Sequence, residues 1–380
     1  MANDRFIAAL RNEKVDRVPV VPKIWVDFSA RVTNASILDV IQDPLTALRV
    51  IALAGKKLGL DAVRQFHFYP RKLLKHDDKI YEINSKGEKI GTIDLEGGLA
   101  TKLFDKKYFD IRNPEMLAHG NWISPDSVVN NIEDAKAIAV PQKDIFDSFS
   151  WGKNQKQIIE EFGGDMEIIG DCDSATMSYY IRFRGIEKAL FDLIENPALV
   201  HTVMKKGAQT AIAKGKYWLD NGIEVLRLND SAGNMSLISP QHWKEFVFPY
   251  IKTVCSELHN YNKKAIIYCH ICGNVLPVIK WLVQTDLDCI APLDPLGGFT
   301  VKQVREQAGN SISLMGGVNT LTLLNGSVQD VKAEALKCMK EAGHGGFILG
   351  SGCAVARNTP EENIIALIEA SKNYIQEIIK

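Results

Sequence analysis

Eight short runs rich in Val, Ile and Leu recur along this chain, at residues 17–22, 60–66, 166–173, 223–230, 265–270, 287–294, 311–317 and 345–352. Continuous apolar runs of that length suit strands covered on both faces, as in a parallel sheet flanked by helices. Eight of them alternating with helical patterns predict an α/β fold, a (β/α)8 TIM barrel. Helices are predicted over 196–221, 239–262 and 327–343, and a further one after Pro360. Ser239, Ser327 and Thr359 stand where N-caps belong, with Pro240 and Pro360 at the first helical position.

One stretch breaks the rhythm. Residues 74–165 contain KIYEINSKGEKIGTIDLEGG, whose alternation around a Ser-Lys-Gly turn predicts a β-hairpin elaboration after the second strand. No internal repeat or linker composition divides the chain. Residues 1–380 are expected to form one barrel domain, a size that barrels with insertions reach.

Charge narrows the partners. With 45 Lys and Arg against 46 Asp and Glu, the chain carries no basic footprint for nucleic acid and no polybasic patch for a membrane. Small molecules or proteins are the expected partners. The charged opening segment lacks a signal-peptide core, and no run reaches the length of a membrane span, so a cytoplasmic location is expected. Seven scattered cysteines, an odd number, fit a reducing compartment better than a disulfide framework.

Ligand-type side chains gather at the carboxyl ends of the predicted strands, the face where barrel enzymes keep their chemistry. His270 and Cys272 stand two residues apart, so in extended backbone both point to the same side. If Cys353, after the eighth strand, closes in, the result is a His-Cys-Cys set. Two soft sulfurs and an imidazole suit Zn2+ better than a hard cation, and three protein ligands leave a tetrahedral position open, as catalytic sites do. The competing reading is that these cysteines are small buried core residues. The fifth and eighth strands are not neighbours, so the loops must lean over the barrel mouth, which glycines at 273, 350 and 352 permit.

Other candidates end the same strands. Asp171 and Asp173 can both face the mouth, as base, as partners behind a ligand, or as loop-fixing caps. Asn229 and Asp230 precede a Ser-Ala-Gly turn, one expected inward and one in the loop. His67 contacts substrate or packs between Phe66 and Phe68. Asp294 is placed to orient His270 through its other ring nitrogen. Trp25, Phe28, Phe68 and Tyr69 are candidate aromatic walls or core. His344 is expected at the opposite face of the barrel.

YCHICGN (268–274), NDSAGNMSLISPQHWKEFVFPYIK (229–252), LMGGVNT (314–320) and GSGCAVARNTPEEN (350–363) resemble the uroporphyrinogen decarboxylase superfamily. More narrowly they resemble its zinc-dependent, cobamide-linked methyltransferase branch, strongly from about residue 160 onward. The branch's zinc motif, His-x-Cys with a distant Cys in a GSGC-type segment, falls on His270, Cys272 and Cys353. The resemblance implies a zinc barrel that exchanges a methyl group between a methylcobamide or cob(I)amide, carried by a separate corrinoid protein, and a thiol such as coenzyme M or a methylated or methoxylated small compound. The decarboxylases' Arg-rich QAGRY-type segment is absent, its place taken by VPKIWVDFSARVTN (21–34), and His67 stands near their aspartate. Decarboxylation is therefore the alternative. A non-catalytic barrel that binds a corrinoid or small ligand is a third reading.

Overall fold

The computed structural model describes residues 2–95, 98–343 and 345–379. His344 lies outside them. Strand β1 (Ala62–Arg64) is followed by five strands of a separate sheet: β2 (Leu73–His76), β3 (Lys79–Ile83), β4 (Lys89–Ile93), β5 (Thr101–Leu103) and β6 (Trp122–Ile123). The main sheet then resumes with β7 (Glu167–Ser174), β8 (Val225–Asn229), β9 (Ile266–His270), β10 (Cys289–Leu293), β11 (Ser313–Val318) and β12 (Phe347–Ser351). It has seven parallel strands in the order β1-β7-β8-β9-β10-β11-β12.

The first predicted strand does not form a regular ladder. Pro19 and Pro22 have no N–H to give, so the segment makes only isolated bridges, Val20 to Leu349 and Lys23 to Ala354. It nonetheless reaches both edges of the sheet. Val21 N donates to Leu349 O at 2.8 Å and Leu349 N to Pro19 O at 2.9 Å, while Asp61 N, just before β1, donates to Val20 O at 3.1 Å.

Period-two alternation divides each strand between two apolar clusters. Val225 and Ile266 with Tyr268 face an inner cluster that also draws on Ala62, Ile169, Cys289, Ala291, Met315, Ile348 and Val21. Leu226, Leu228, Ile267 and Cys269 face the larger outer cluster under the helices. Each fully buried side chain of this kind contributes about 1.5–3 kcal/mol relative to exposure. Phe6, Ala9 and Leu10 of helix Ala2–Leu10 seal the inner cluster at the amino ends of the strands, where Ser313 Oγ donates to the Ala9 and Leu10 carbonyls. The opposite end stays open for side chains of another kind.

Helices form at Pro197–Asp220, Pro240–Tyr261 and Val328–Ala342, within a residue or so of expectation. The second contains a π-helical turn at Trp243–Val247. Ser239 accepts from His242 N, and Ser327 forms a capping box with Asp330. Thr359 is a correction. Its hydroxyl is buried without a hydrogen-bond partner, and the last helix begins at Glu361. Where a hairpin was expected, β3 and β4 pair antiparallel about Gly87 (φ +80°) within the wider five-stranded sheet.

Candidate metal centre and the charged cavity beside it

The inward alternation that packs Ile266 and Tyr268 brings His270 to the inner side at the carboxyl end of β9. Cys272 follows two residues later, and Cys353 lies two residues beyond the end of β12. One imidazole nitrogen and the two sulfurs lie within 4.8 Å of one another. The edge of a tetrahedron with 2.3 Å metal–sulfur bonds is ~3.7 Å, so about an ångström of closure would bring all three onto one ion. The donor set fits zinc chemically: two thiolates, one neutral ring, and no fourth protein ligand among the described residues.

The loops do lean across β10 and β11. A Cβ on Gly352 would stand 2.7 Å from Pro295 Cδ and 3.0 Å from Asp294 Oδ1, so the Cys353 loop can rest on the β10 loop only because residue 352 has no side chain. Ser351 fixes the turn by donating to Cys353 O and accepting from Lys23 N at 2.9 Å.

Asp294 does not reach the His270 ring. Its Oδ2 accepts from Gly273 N at 2.9 Å and its Oδ1 from Leu296 N at 3.0 Å, so it ties the ligand loop by backbone rather than orienting the imidazole. The ring's partner is Lys23, whose Nζ lies 3.0 Å from His270 Nε2. Burial, with Arg227 and Arg64 close, holds Lys23 well below the usual lysine range. Cys353 is drawn down to about 6 because Cys272 donates to it, and Cys272 is pushed up for the same reason.

Beside the centre lies a cavity of about 190 Å3. Asp171, Asp173, Asn229 and His67, all flagged by the sequence, line it. Asp171 pairs with Arg227 at 3.2 Å and Arg64 at 3.5 Å; Asp173 takes Arg182 at 2.8 and 3.1 Å and Lys214 at 3.4 Å. Asp173 is held below the usual carboxylate range by these cations, against the opposing pull of burial. Asn229 donates to Ser174 Oγ at 3.2 Å and accepts from Arg227. His67 stacks on Trp218 at 4.0 Å, its Nε2 lies 3.1 Å from Gln155 Oε1, and burial lowers it to about 4. It is thus both packed and lining.

Asp230 is not brought to the cavity. Its Oδ1 accepts from Ser178 N at 2.7 Å at the start of helix Met177–Arg184, and burial raises it to about 6. Of the aromatic candidates, Trp25 forms a wall, Phe28 and Phe68 are core, and the Tyr69 hydroxyl donates to Glu82 at 2.6 Å. Trp25 is shared with a larger, open cavity of about 790 Å3 that Lys23 and Cys353 line.

Sequence reasoning missed Lys23, Arg64, Arg227, Arg182, Lys214, His119 and Asn121. Arg64 and Arg227 did carry a signal. Each interrupts an apolar strand run with a charge, and arginines are almost never fully buried unless paired.

An α/β parallel sheet with thiol and imidazole donors at the carboxyl ends of its strands defines a class of barrel-like proteins that do chemistry at that end. The chain belongs to the uroporphyrinogen decarboxylase (URO-D) family, whose profile matches residues 1–67 and 123–374. It is 28% identical to the methylated-thiol–coenzyme M methyltransferase of Methanosarcina mazei over 50% of this chain and 48% of that one, and 28% identical to the uroporphyrinogen decarboxylase of Trichodesmium erythraeum over 46% and 48%. The matched part thus spans about half the length of both relatives. With the methylcobamide:CoM methyltransferase MtbA of Methanosarcina mazei the match is 24% identical over 98% of this chain and 97% of that one. A solved methyltransferase from Methanosarcina mazei shares the fold, with TM-score 0.72 and 20% identity over 98% and 99% of the two chains.

Proposed function

We propose that this protein is a zinc-dependent methyltransferase on a single (β/α)8 barrel, exchanging a methyl group between the cobamide of a partner corrinoid protein and a thiol or a methylated or methoxylated small compound. The observation that carries this reading is the convergence of His270, Cys272 and Cys353 from strands that are not neighbours. The family-wide match and the full-length likeness to a cobamide methyltransferase support it.

In this reading His270, Cys272 and Cys353 hold zinc. When bound, the metal supplies a Lewis acid that lowers the pKa of a coordinated thiol or polarises a donor heteroatom. The chain's own residues do the rest. Asp294 fixes the Cys272 loop through Gly273 N, Ser351 fixes the Cys353 loop, and Lys23 holds the imidazole. In this reading the corrinoid protein docks over the open cavity lined by Cys353, and the charged cavity that shares Trp25 with it takes the small molecule. The protein works in the cytoplasm; no helix among the described residues is long and apolar enough to cross a membrane.

The test is purified protein assayed for metal content and for methyl exchange with methylcobalamin and cob(I)alamin against thiols and methoxylated compounds. Stoichiometric zinc with exchange in either direction is the expected result. Decarboxylation is the second reading, favoured by the arginines at 64, 182 and 227 facing one cavity, as an acidic substrate would require. Release of carbon dioxide from an acidic substrate without metal would replace the first reading with this one.

A further inference from the structure

The family profile passes over residues 68–122, the stretch that builds β2 to β6 up to the start of β6. That stretch is not an outlying ornament. It gives His119, Gly120 and Asn121 to the wall of the charged cavity, and Leu95 and Leu99 to the open one.

Gly120 seats the insert on the main sheet's charges. Its φ is +60°, and a Cβ there would stand 2.6 Å from Arg182 Nη1 and 2.7 Å from Asp173 Oδ2. Only a residue without a side chain lets the backbone rest on that ion pair. The turn is braced on both sides. Asn121 O accepts from Thr101 N at 2.9 Å, Asn121 N donates to His119 Nδ1 at 3.1 Å, and the His119 ring stacks on Tyr69 at 3.5 Å. Because Nδ1 accepts, and burial first and nearby cations second keep the ring neutral, His119 carries its proton on Nε2.

The cavity has donors in excess. Arg64, Arg182, Lys214 and Arg227 face only two carboxylates, Asp171 and Asp173. Asn121 Nδ2, Arg64 Nη1 and Arg227 Nε are buried without partners, in side chains that are 5%, 7% and 3% exposed. Buried N–H groups seek acceptors, and cations outnumbering acids in a low dielectric favour a negatively charged one. The remaining walls, Trp25, Phe66 and Trp151, are flat and apolar. The volume, about 190 Å3, is below the ~300–1,000 Å3 of drug-sized sites, which limits the occupant to a compact molecule.

We infer that His119 and Asn121 of the insert, with Arg182 beneath Gly120, form a subsite for the acidic group of a small, flat organic anion, so that the insert determines which methyl-bearing compound this protein accepts. The inference rests on the methyl-exchange reading for the occupant's methyl group, and on the cavity alone for its charge.

The experiment is calorimetric titration of the zinc-loaded protein with 4-methoxybenzoate, 4-methoxybenzenesulfonate and the neutral 4-methoxybenzamide. At least one acid is expected to bind ten-fold or more tightly than the amide, and the better of the two identifies the head group. Asn121→Asp, which keeps the shape and adds a negative charge, should weaken that acid at least ten-fold. If this variant does not fold, the half-buried His119→Ala replaces it, with the same expectation. Equal binding of the amide and both acids, or wild-type affinity in a folded variant, overturns the inference. Binding needs no methyl exchange, so zinc-depleted Cys272→Ser protein that still prefers the acid upholds the subsite even where the metal reading fails.

Discussion

Gly352 lies against Asp294: a single methyl group on the glycine would come within 3.0 Å of the carboxylate oxygen that tethers Leu296 N, and within 2.7 Å of the adjoining proline ring. The two loops meet there, and the contact decides whether Cys353 can approach a histidine three strands away in the sheet. Gly352→Val should therefore separate the donors while leaving the sheet intact. The expected outcome is zinc affinity at least ~10-fold weaker, comparable with loss of a supporting partner, with a far-ultraviolet spectrum like that of wild type.

The sulfurs themselves are tested by Cys272→Ser and Cys353→Ser. A serine hydroxyl is a poor soft donor, so each variant should retain less than about a tenth of the wild-type zinc after dialysis, together with a matching loss of methyl exchange. Metal analysis by mass spectrometry reads the first effect independently of the second. Wild-type zinc in both variants would remove these sulfurs from the ligand set.

Asp173 is held by Arg182 and, more distantly, by Lys214. Arg182→Met leaves the buried carboxylate with the weaker partner. Breaking a buried pair from one side destabilises by ~3 kcal/mol, so a clear drop in denaturation midpoint is expected in urea titration. Asp173→Asn combined with Arg182→Met should recover part of that loss, since no uncompensated acid then remains.

Glu167, at the amino end of β7 and far from the donors, is raised to about 7 by burial and by Glu224 nearby. The unfolded chain releases this proton near the ordinary carboxyl value while the folded chain keeps it. Stability therefore falls as pH rises through that interval, with the full penalty above about 7. Glu167→Gln should melt like wild type at pH 4 and higher than wild type at pH 8. A difference independent of pH would show that the carboxyl titrates normally in the folded protein.

What the sequence disclosed follows from what each pattern encodes locally. Continuous apolar runs located β7 to β12, and the spacing of His270 and Cys272 set them on one side of a strand end. The edge-linking segment was legible as apolar but not as irregular, because the effect of Pro19 and Pro22 depends on which neighbours would have received their missing donors. Asp230 and Asp294 show the same limit. An acid at a strand end can face the cavity or hold a backbone N–H, and only the loops' final course decides, here for Ser178 and Gly273. His119 and Asn121 gave no signal, since nothing at the end of a short helix, remote in sequence from the carboxyl ends of the main-sheet strands, marks it as reaching the Asp173–Arg182 pair.

Lys23 near the beginning of the sequence grips Ser351 through its backbone and the His270 ring through its amine, while Cys353 arrives more than three hundred positions later. The His270, Cys272 and Cys353 cluster proposed to hold zinc is therefore complete only once the segment after β12 has been synthesised and folded against the first residues of the chain.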